Sequence, residues 1–457
     1  MEARSLPNSK VLFISGVDGD TRRYRCFHQQ EQLAIQGIES AFREYDDPSL
    51  VVDLLNYDLF LLHRVPYTPL IAAVIDVARL RGKPVVFETD DLLFDPTLYD
   101  RIGFIDTLSA EEARAYRAEL RRMTETFQRC DCVLTTTQFL ANEAQQRGKP
   151  AYVNRNAPSQ EMVRISEEAF AARQERSTEQ DQRPVTIGFF SGTGSHNRDF
   201  QTIAGPLIQV MEAYPQVLLH ISGHLELGPE FAPFQSRIRR APYVSWRELP
   251  HIIARVDVNL APLEPENPFC RAKSEIKFVE AALVGVPTIA SRVDAYEFAI
   301  TDGENGRLAV STDEWAGALQ ELVEHPEKRA ALGSAARQAV YARYLPEQRA
   351  LELQHTLDDI LRRFGGKTAP PEQILEQAIE SLKGYAEHMH VQASDREAQL
   401  ASLRRMVIGY ERQLELLETT RNLLEAKEQQ VDELQQHLEE IRQGRVMRFI
   451  AAINRIL

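Results

Sequence analysis

The chain has 457 residues, 43% of them hydrophobic and 26% charged, with a formal net charge of -14. That length exceeds one ordinary domain, and that composition suits a soluble globular protein rather than a disordered one, so two domains with an appendage are expected. The acidic balance argues against a nucleic-acid binder, because a polyphosphate backbone calls for a basic face. Cys26, Cys130, Cys132 and Cys270 do not form paired CxxC knuckles, so no metal is expected and the thiols read as buried or free in a reducing compartment. The opening MEARSLPNSK lacks the apolar core of a secretory leader, and no stretch holds eighteen nearly continuous apolar residues; the expectation is a cytoplasmic protein.

In chain order, Val11-Leu12-Phe13-Ile14 reads as a first parallel strand that delivers the turn Ser15-Gly16 to the edge of a sheet, followed by a polar helix through Gln36. Gly16 and Gly19 lack the spacing and the third glycine of the dinucleotide fingerprint, so Gly16 belongs either to a tight turn or to a ligand loop. Arg22, Arg23 and Arg25 follow, each suited to phosphate or to a surface ion pair. Residues 57–64, 84–91, 131–139 and 151–157 supply further strands, with an amphipathic helix over 110–128. His63, Arg64, Glu88, Asp90 and Asp91 close the strands at 57–64 and 84–91, at the carboxyl edge where a parallel sheet presents chemistry. Successive side chains on an extended strand point apart, so Asp90 and Asp91 read as a helix cap near Leu92 and an acceptor or arginine partner, not as a metal pair.

The polar run 165–183 reads as a linker or an exposed helix. The α/β alternation restarts over Val185 to Phe190, and Ser191-Gly192-Thr193-Gly194-Ser195 forms a loop whose amides can approach phosphate oxygens, backed by the positive end of the next helix. Strands follow at 217–223 and 256–263. The second opens into a turn where Glu264 and Asn267 either meet sugar hydroxyls or serve the turn itself. Lys273, Lys277 and Glu280, spaced i, i+4 and i+7, share one helix face opposite Ile276, Val279 and Leu283, before Gly285 and Pro287 end the helix and a buried strand begins. Two ammonium groups beside a carboxylate suit an anionic ligand that also carries hydroxyls; a solvated amphipathic helix is the plain alternative.

EAALVGVPTIAS at 280–291, FSGTGSHNRD at 190–199 and the DGENG turn at 302–306 carry a resemblance to the retaining glycosyltransferases of the two-Rossmann, or GT-B, kind, most like family 4 in its bacterial surface-polysaccharide branch. The likeness spans roughly residues 10–364 and is sharpest over 185–310. It implies an α/β architecture of two facing Rossmann-like domains, 1–165 on the acceptor side and 166–364 holding the nucleotide sugar. The implied reaction needs no metal or cofactor: a sugar moves from a nucleoside diphosphate sugar to a glycan or lipid-linked saccharide in surface polysaccharide synthesis. The resemblance implies Glu280 for the ribose, Lys273 and Lys277 with His196 or Arg198 for the diphosphate, and Ser191, Gly192 and Gly194 for close backbone approach. Gly16 would border donor and acceptor, with Glu264 and Asn267 on the donor side. His63, Arg64 and Asp90 are the catalytic candidates, placed to position the acceptor. The family pairs the ribose glutamate with a second one eight positions upstream; here that residue is Ala272, which leaves Lys273 or Glu275 as substitutes. Two rival readings are a nucleotide-sugar epimerase on a related two-lobed fold and a non-catalytic sugar-nucleotide-binding scaffold.

GGKTAPP at 365–371 interrupts the globular pattern, and 365–443 turns helical. Leu403, Val407, Tyr410, Leu414 and Leu417, then Val431, Leu434, Leu438 and Ile441, recur by threes and fours. That seam suits a coiled coil joining copies of the chain, or a helical hairpin packed on the enzyme. The last stretch, 444–457, has an apolar face beside Arg445, Arg448 and Arg455 and is too short to span a bilayer. It is expected at an anionic membrane surface or against polysaccharide-assembly proteins, giving a peripheral position on the inner face of the cell membrane.

Overall fold

The computed structural model describes residues 9–47, 49–102, 105, 108–177, 184–192 and 196–370, most of 372–394, 421–436, and the single residues 439, 444 and 448. Two compact units divide the chain, Met1–Lys383 and Gly384–Leu457. The first unit is built on two sheets. One comprises Val11–Ser15 (β1), Ser40–Glu44 (β2), Leu59–His63 (β3), Val85–Thr89 (β4), Cys132–Thr135 (β5) and Ala151–Val153 (β6), in the order β2-β1-β3-β4-β5-β6. The other comprises Thr186–Ser191 (β7), Leu218–Gly223 (β8), Ile238–Ala241 (β9), Val258–Ala261 (β10), Thr288–Ser291 (β11) and Arg307–Ala309 (β12), in the order β12-β11-β10-β7-β8-β9. Every neighbouring pair is parallel.

Helices cover both faces of such sheets, so the central strands are written as unbroken apolar runs: β1, β3 and β4 are buried along their whole length. In each sheet the chain steps outward on one side and then reverses, between β1 and β3 in the first and between β7 and β10 in the second. A crevice opens at the carboxyl end of such a reversal, where ligands bind in open α/β sheets. Gly16, His63, Ser191 and Leu263 sit at those ends.

Of the two readings of the polar run after residue 165, the helix is the one found: the run lies largely in the helix Gln160–Ser177, whose Arg173 and Arg176 donate to the carbonyl of Ala254. Two local details depart from the sequence reading. The helix expected to begin at Lys273 begins at Ile276, after a short turn of helix Pro268–Arg271. No helix starts near Leu92; Asp95 instead caps the 3-10 turn Pro96–Arg101 and accepts from the Thr97 amide.

The helix Pro346–Phe364 follows the second sheet in sequence but packs on the first. Its Leu353, Leu357, Ile360 and Leu361 are buried with Val11, Phe13, Cys26, Leu59 and Leu61. The segment after it is strapped to the same half: the Gly366 amide donates to the Gly82 carbonyl at 3.0 Å and the Thr368 hydroxyl to the Arg81 carbonyl at 3.1 Å. Gly82 has φ 63° and stands against the Gly366 carbonyl, so a side chain there meets both strain and a clash.

All four cysteines are buried and unpaired. Among the described residues no helix is long and apolar enough to cross a membrane. Of the heptad positions, Val431 and Leu434 lie on a described, exposed stretch of helix. Leu403, Val407, Tyr410, Leu414, Leu417, Leu438 and Ile441, with nearly all of 445–457, lie outside the described residues.

Replacing Leu357 with alanine opens a cavity in the first core and is expected to cost about 2–5 kcal/mol, read as a lowered melting temperature. Leu351 on the same helix is 50% exposed; Leu351→Ala should stay within about 0.5 kcal/mol of the parent.

Candidate active site

The two crevices meet at a cavity of about 260 Å³ lined from both sheets. Asp20, Thr21, Arg23, Tyr24, Asp90 and Asp91 form the wall on the first sheet's side. Ser191, Gly192, His196, Lys273, Lys277 and Glu280 face them, with Tyr243 and Trp246 at the margin.

Lys277 dominates the second wall. Its ammonium is buried and, among the described residues, has no hydrogen-bond partner, and it sits 4.9 Å from the centre of the Phe189 ring. Burial pushes its pKa down to about 8, so it keeps its charge at neutral pH. A buried cation without a partner is costly unless something anionic arrives to meet it. The charge of Lys277, with burial, pushes His196 down to about 4. The imidazole is therefore neutral at pH 7 and carries no standing positive charge of the kind the resemblance implied. His196 Nδ1 lies 2.9 Å from Asp199 Oδ2.

Glu280 accepts a hydrogen bond of 2.7 Å from the Tyr24 hydroxyl, and burial raises its pKa. Lys273 donates to Asp91 at 2.8 Å across the cavity. Glu275 is buried, bound by Arg155 at 3.0 Å and by the Tyr344 hydroxyl at 2.7 Å, and does not line the cavity; it is a structural pin, and Ala272 beside it is wholly buried.

The remaining donor candidates divide. Ser191 and Gly192 line the cavity, while Gly194 lies outside the described residues. Arg198 is exposed and is not part of the lining. Nor are Glu264 and Asn267: the Glu264 amide donates to Asp199, and Asn267 caps the helix Pro268–Arg271. Gly16 holds a tight turn, its amide on the His63 carbonyl at 3.0 Å. A Cβ at residue 16 would come within 2.4 Å of the Arg64 carbonyl.

On the first wall, the two carboxylates expected to point apart converge. β4 ends at Thr89, whose hydroxyl takes the Asp91 amide and donates to the Asp91 carbonyl, so Asp90 and Asp91 sit on a tight turn rather than on a strand. Arg64, at φ 48°, donates to Asp90 at 2.6 Å and to Asp91 at 2.7 Å. Burial alone would raise Asp90, but Arg64, His63 and Thr21 outweigh it and hold the carboxyl well below the usual range. His63 is fully buried, with Nδ1 3.0 Å from Ser15 Oγ and Nε2 3.1 Å from Thr21 Oγ1. Thr21 in turn donates to Asp90 at 2.7 Å. Of the three catalytic candidates, Asp90 reaches the cavity; His63 and Arg64 stand behind it, in contact with Thr21 and Asp90.

The arginines at 22, 23 and 25 have separate fates. Arg25 is completely buried against Glu88, the Asn154 carbonyl and Asn156. Arg22 pairs with Glu44, and Arg23 stacks on Trp246 with its guanidinium 4.9 Å from the ring centre. Sequence reasoning missed Thr21, Tyr24, Asn156, Tyr243 and Trp246. Thr21 and Tyr24 are spaced i, i+3 directly after the first loop, and that spacing was the available signal.

Residues 203–355 match the family model described as glycosyl transferase-like. The fold is similar to that of HepE from Anabaena, solved in complex with UDP (TM-score 0.54, 16% identity, 77% of this chain and 100% of that chain). It is also similar to a glycosyltransferase from Rickettsia africae (TM-score 0.53, 10% identity, 78% and 99%). Sucrose-phosphate synthase from Thermosynechococcus elongatus is a third (TM-score 0.51, 15% identity, 78% and 99%). No curated protein matches the chain. The architecture is thus GT-B, two parallel sheets flanking a ligand cleft. With the matched segment, which is less than half of its length, the chain is similar to glycosyltransferases of that fold.

Lys277 gives the site a defined pH response. Its pKa in the folded protein lies below the ordinary lysine value, so its charge disappears as pH rises through about 8, and anion binding there weakens above that point. Sulfate stays a dianion over this range, and its titration, followed by tryptophan fluorescence, should lose affinity above about pH 8. In Lys277→Met the binding should be weaker and should not titrate there.

Proposed function

We propose that this protein transfers a sugar, with retention of anomeric configuration, from a nucleoside diphosphate sugar to a hydroxyl of a glycan or lipid-linked acceptor. The observation that carries the proposal is the buried ammonium of Lys277, unpartnered among the described residues, in a cleft between two GT-B sheets. A diphosphate meets that ammonium, with Lys273 beside it and the chain around Ser191 and Gly192 open to close approach. Glu280 then takes the ribose hydroxyls, and the sugar extends toward Thr21 and Asp90. As the bond to the sugar breaks, charge grows on the departing diphosphate, and a fixed cation in a dry site stabilises that charge without reorganisation. Residues 1–165 take the acceptor side and 166–364 the donor side, with the helix Pro346–Phe364 returning to the first sheet. HepE was solved with UDP and with UDP-glucose, which makes uridine nucleotides the first donors to try, and surface polysaccharide synthesis the setting in which to seek the acceptor.

Incubating the protein with a set of nucleoside diphosphate sugars and saccharide acceptors, then identifying products by mass spectrometry, tests the reading. A new glycosidic bond is expected; isomerised donor without acceptor consumption would mean epimerisation, and binding without turnover a scaffold. In binding assays Lys277→Met should weaken a nucleoside diphosphate while sparing the nucleoside. Glu280→Ala should weaken both, by about 1.5–3 kcal/mol for a lost charged hydrogen-bond partner.

We assign self-association to the helical tail and surface recruitment to the basic segment beyond Gly444. Deleting residues 372–457 should reduce oligomer mass in sedimentation and abolish binding to anionic vesicles; ending the chain at Gly444 should abolish only the vesicle binding. Unchanged mass and partitioning would remove both assignments.

A further inference from the structure

Asp199 is a buried polar group beside the cavity that the reaction as described leaves without a task. It is 4% exposed and lies in the first turn of the helix Asn197–Gln201. Three donors converge on its carboxylate. Oδ1 accepts the Glu264 amide at 3.2 Å and the Cys270 thiol at 3.2 Å, and Oδ2 faces His196 Nδ1 at 2.9 Å. Among the described residues no lysine or arginine lies within ion-pairing distance of it. With one oxygen fixed by two neighbours, the other can only be turned to the imidazole.

Resting on the donor reading above, we propose that Asp199 is a positioning residue that makes His196 a proton-accepting partner of the donor diphosphate. Asp199, an acceptor, requires hydrogen on Nδ1 and leaves the lone pair on Nε2. The charged groups bearing on His196 are Asp199 in the helix that His196 precedes, Lys277 on the helix Ile276–Leu283 and Lys273 in the turn before it. The two ammonium groups oppose a further positive charge. A bound diphosphate reverses that balance: its negative charge offsets Lys277 and Lys273, and Nε2 takes one proton from solvent. The resulting imidazolium, its charge balanced by Asp199, donates from Nε2 to the diphosphate. It keeps that proton when the bond between sugar and phosphate oxygen breaks and the electron pair leaves with the phosphate. The anomeric carbon in turn bonds the acceptor oxygen, whose proton passes to the departing diphosphate, and no group changes oxidation state.

The test uses the full-length protein and UDP-glucose, whose diphosphate does not titrate near neutral pH, with other nucleoside diphosphate sugars as further probes. Calorimetric titration at about pH 6.5, where Lys277 is already protonated, in buffers of different ionisation heat measures the protons taken up on binding. The parent should take up close to one proton, and His196→Gln none. Asp199→Asn should also take up none, because the Glu264 amide and Cys270 thiol would claim the asparagine oxygen and turn its NH2 toward Nδ1, imposing the wrong tautomer. Donor affinity in Asp199→Asn should fall about tenfold, the scale of one charge-assisted hydrogen bond, and kcat/KM further, because the interaction strengthens as charge develops. Nitrogen shifts of labelled histidine in the ligand-free protein give an independent reading. They should show His196 neutral with hydrogen on Nδ1 in the parent, and the opposite tautomer in Asp199→Asn. Donor binding without proton uptake in the parent, undiminished uptake in Asp199→Asn, or hydrogen on Nε2 in the free parent would each overturn the proposal. If the parent binds none of the nucleotide sugars the donor reading itself fails, and the tautomer measurement still decides what Asp199 does to His196.

Discussion

A single ammonium group, buried and without a hydrogen-bond partner among the described residues, sets the terms for the rest of the cleft. The folded chain tolerates Lys277 in that state because the face of Phe189 lies beneath it and two carboxylates, Asp199 and Glu280, lie in its field. A ring face and distant anions moderate the penalty of burying charge without cancelling it. What the arrangement retains is charge at neutral pH together with unsatisfied donors, and both are aimed into a cavity. The same charge keeps His196 neutral, so the electrostatics of the wall are organised outward from this one position.

The other ligand-facing groups are treated in the opposite way. Tyr24 satisfies Glu280 and Asp91 satisfies Lys273, while Tyr243 reaches Asp20 and Asn156 reaches Ser274. Each of these bonds joins the two halves across the cleft. An entering ligand must therefore exchange with internal partners that already have the right chemistry, a hydroxyl at Glu280 and a carboxylate at Lys273. Exchange of this kind reduces the net affinity gained per contact and keeps the halves together in its absence. An entering anion would instead meet Lys277, the ligand-facing group left without an internal hydrogen-bond partner among the described residues.

The sheets were legible because parallel strands covered on both faces leave unbroken apolar runs, as in β1 and β3. Lys277 and Glu280 were legible because helical periodicity puts them on one face. Lys273 was misplaced onto that helix: the start at Ile276 follows Glu275, which Arg155 and Tyr344 hold from far away in sequence. Long-range anchors of this kind leave no local trace. The convergence of Asp90 and Asp91 was missed for a related reason, since the strand stops at Thr89 through its own side-chain hydrogen bonds and the alternation rule no longer applies. Tyr24 reads as one more helix residue until the second half of the molecule is set opposite it.

The return of the helix Pro346–Phe364 to the first sheet also bears on synthesis. Val11, Phe13, Leu59 and Leu61 share a core with Leu353, Leu357 and Ile360, yet the entire second sheet is encoded between them. On the ribosome, a chain that has not yet reached Pro346 carries a first sheet with one apolar flank open, while the second sheet already has all six of its strands. Contacts of such sequence separation form late. The usual order of vectorial folding, in which the amino-terminal half finishes first, is thus unavailable to this chain: its beginning is completed by its later part, and until then the nascent first half presents the surface that a chaperone would hold.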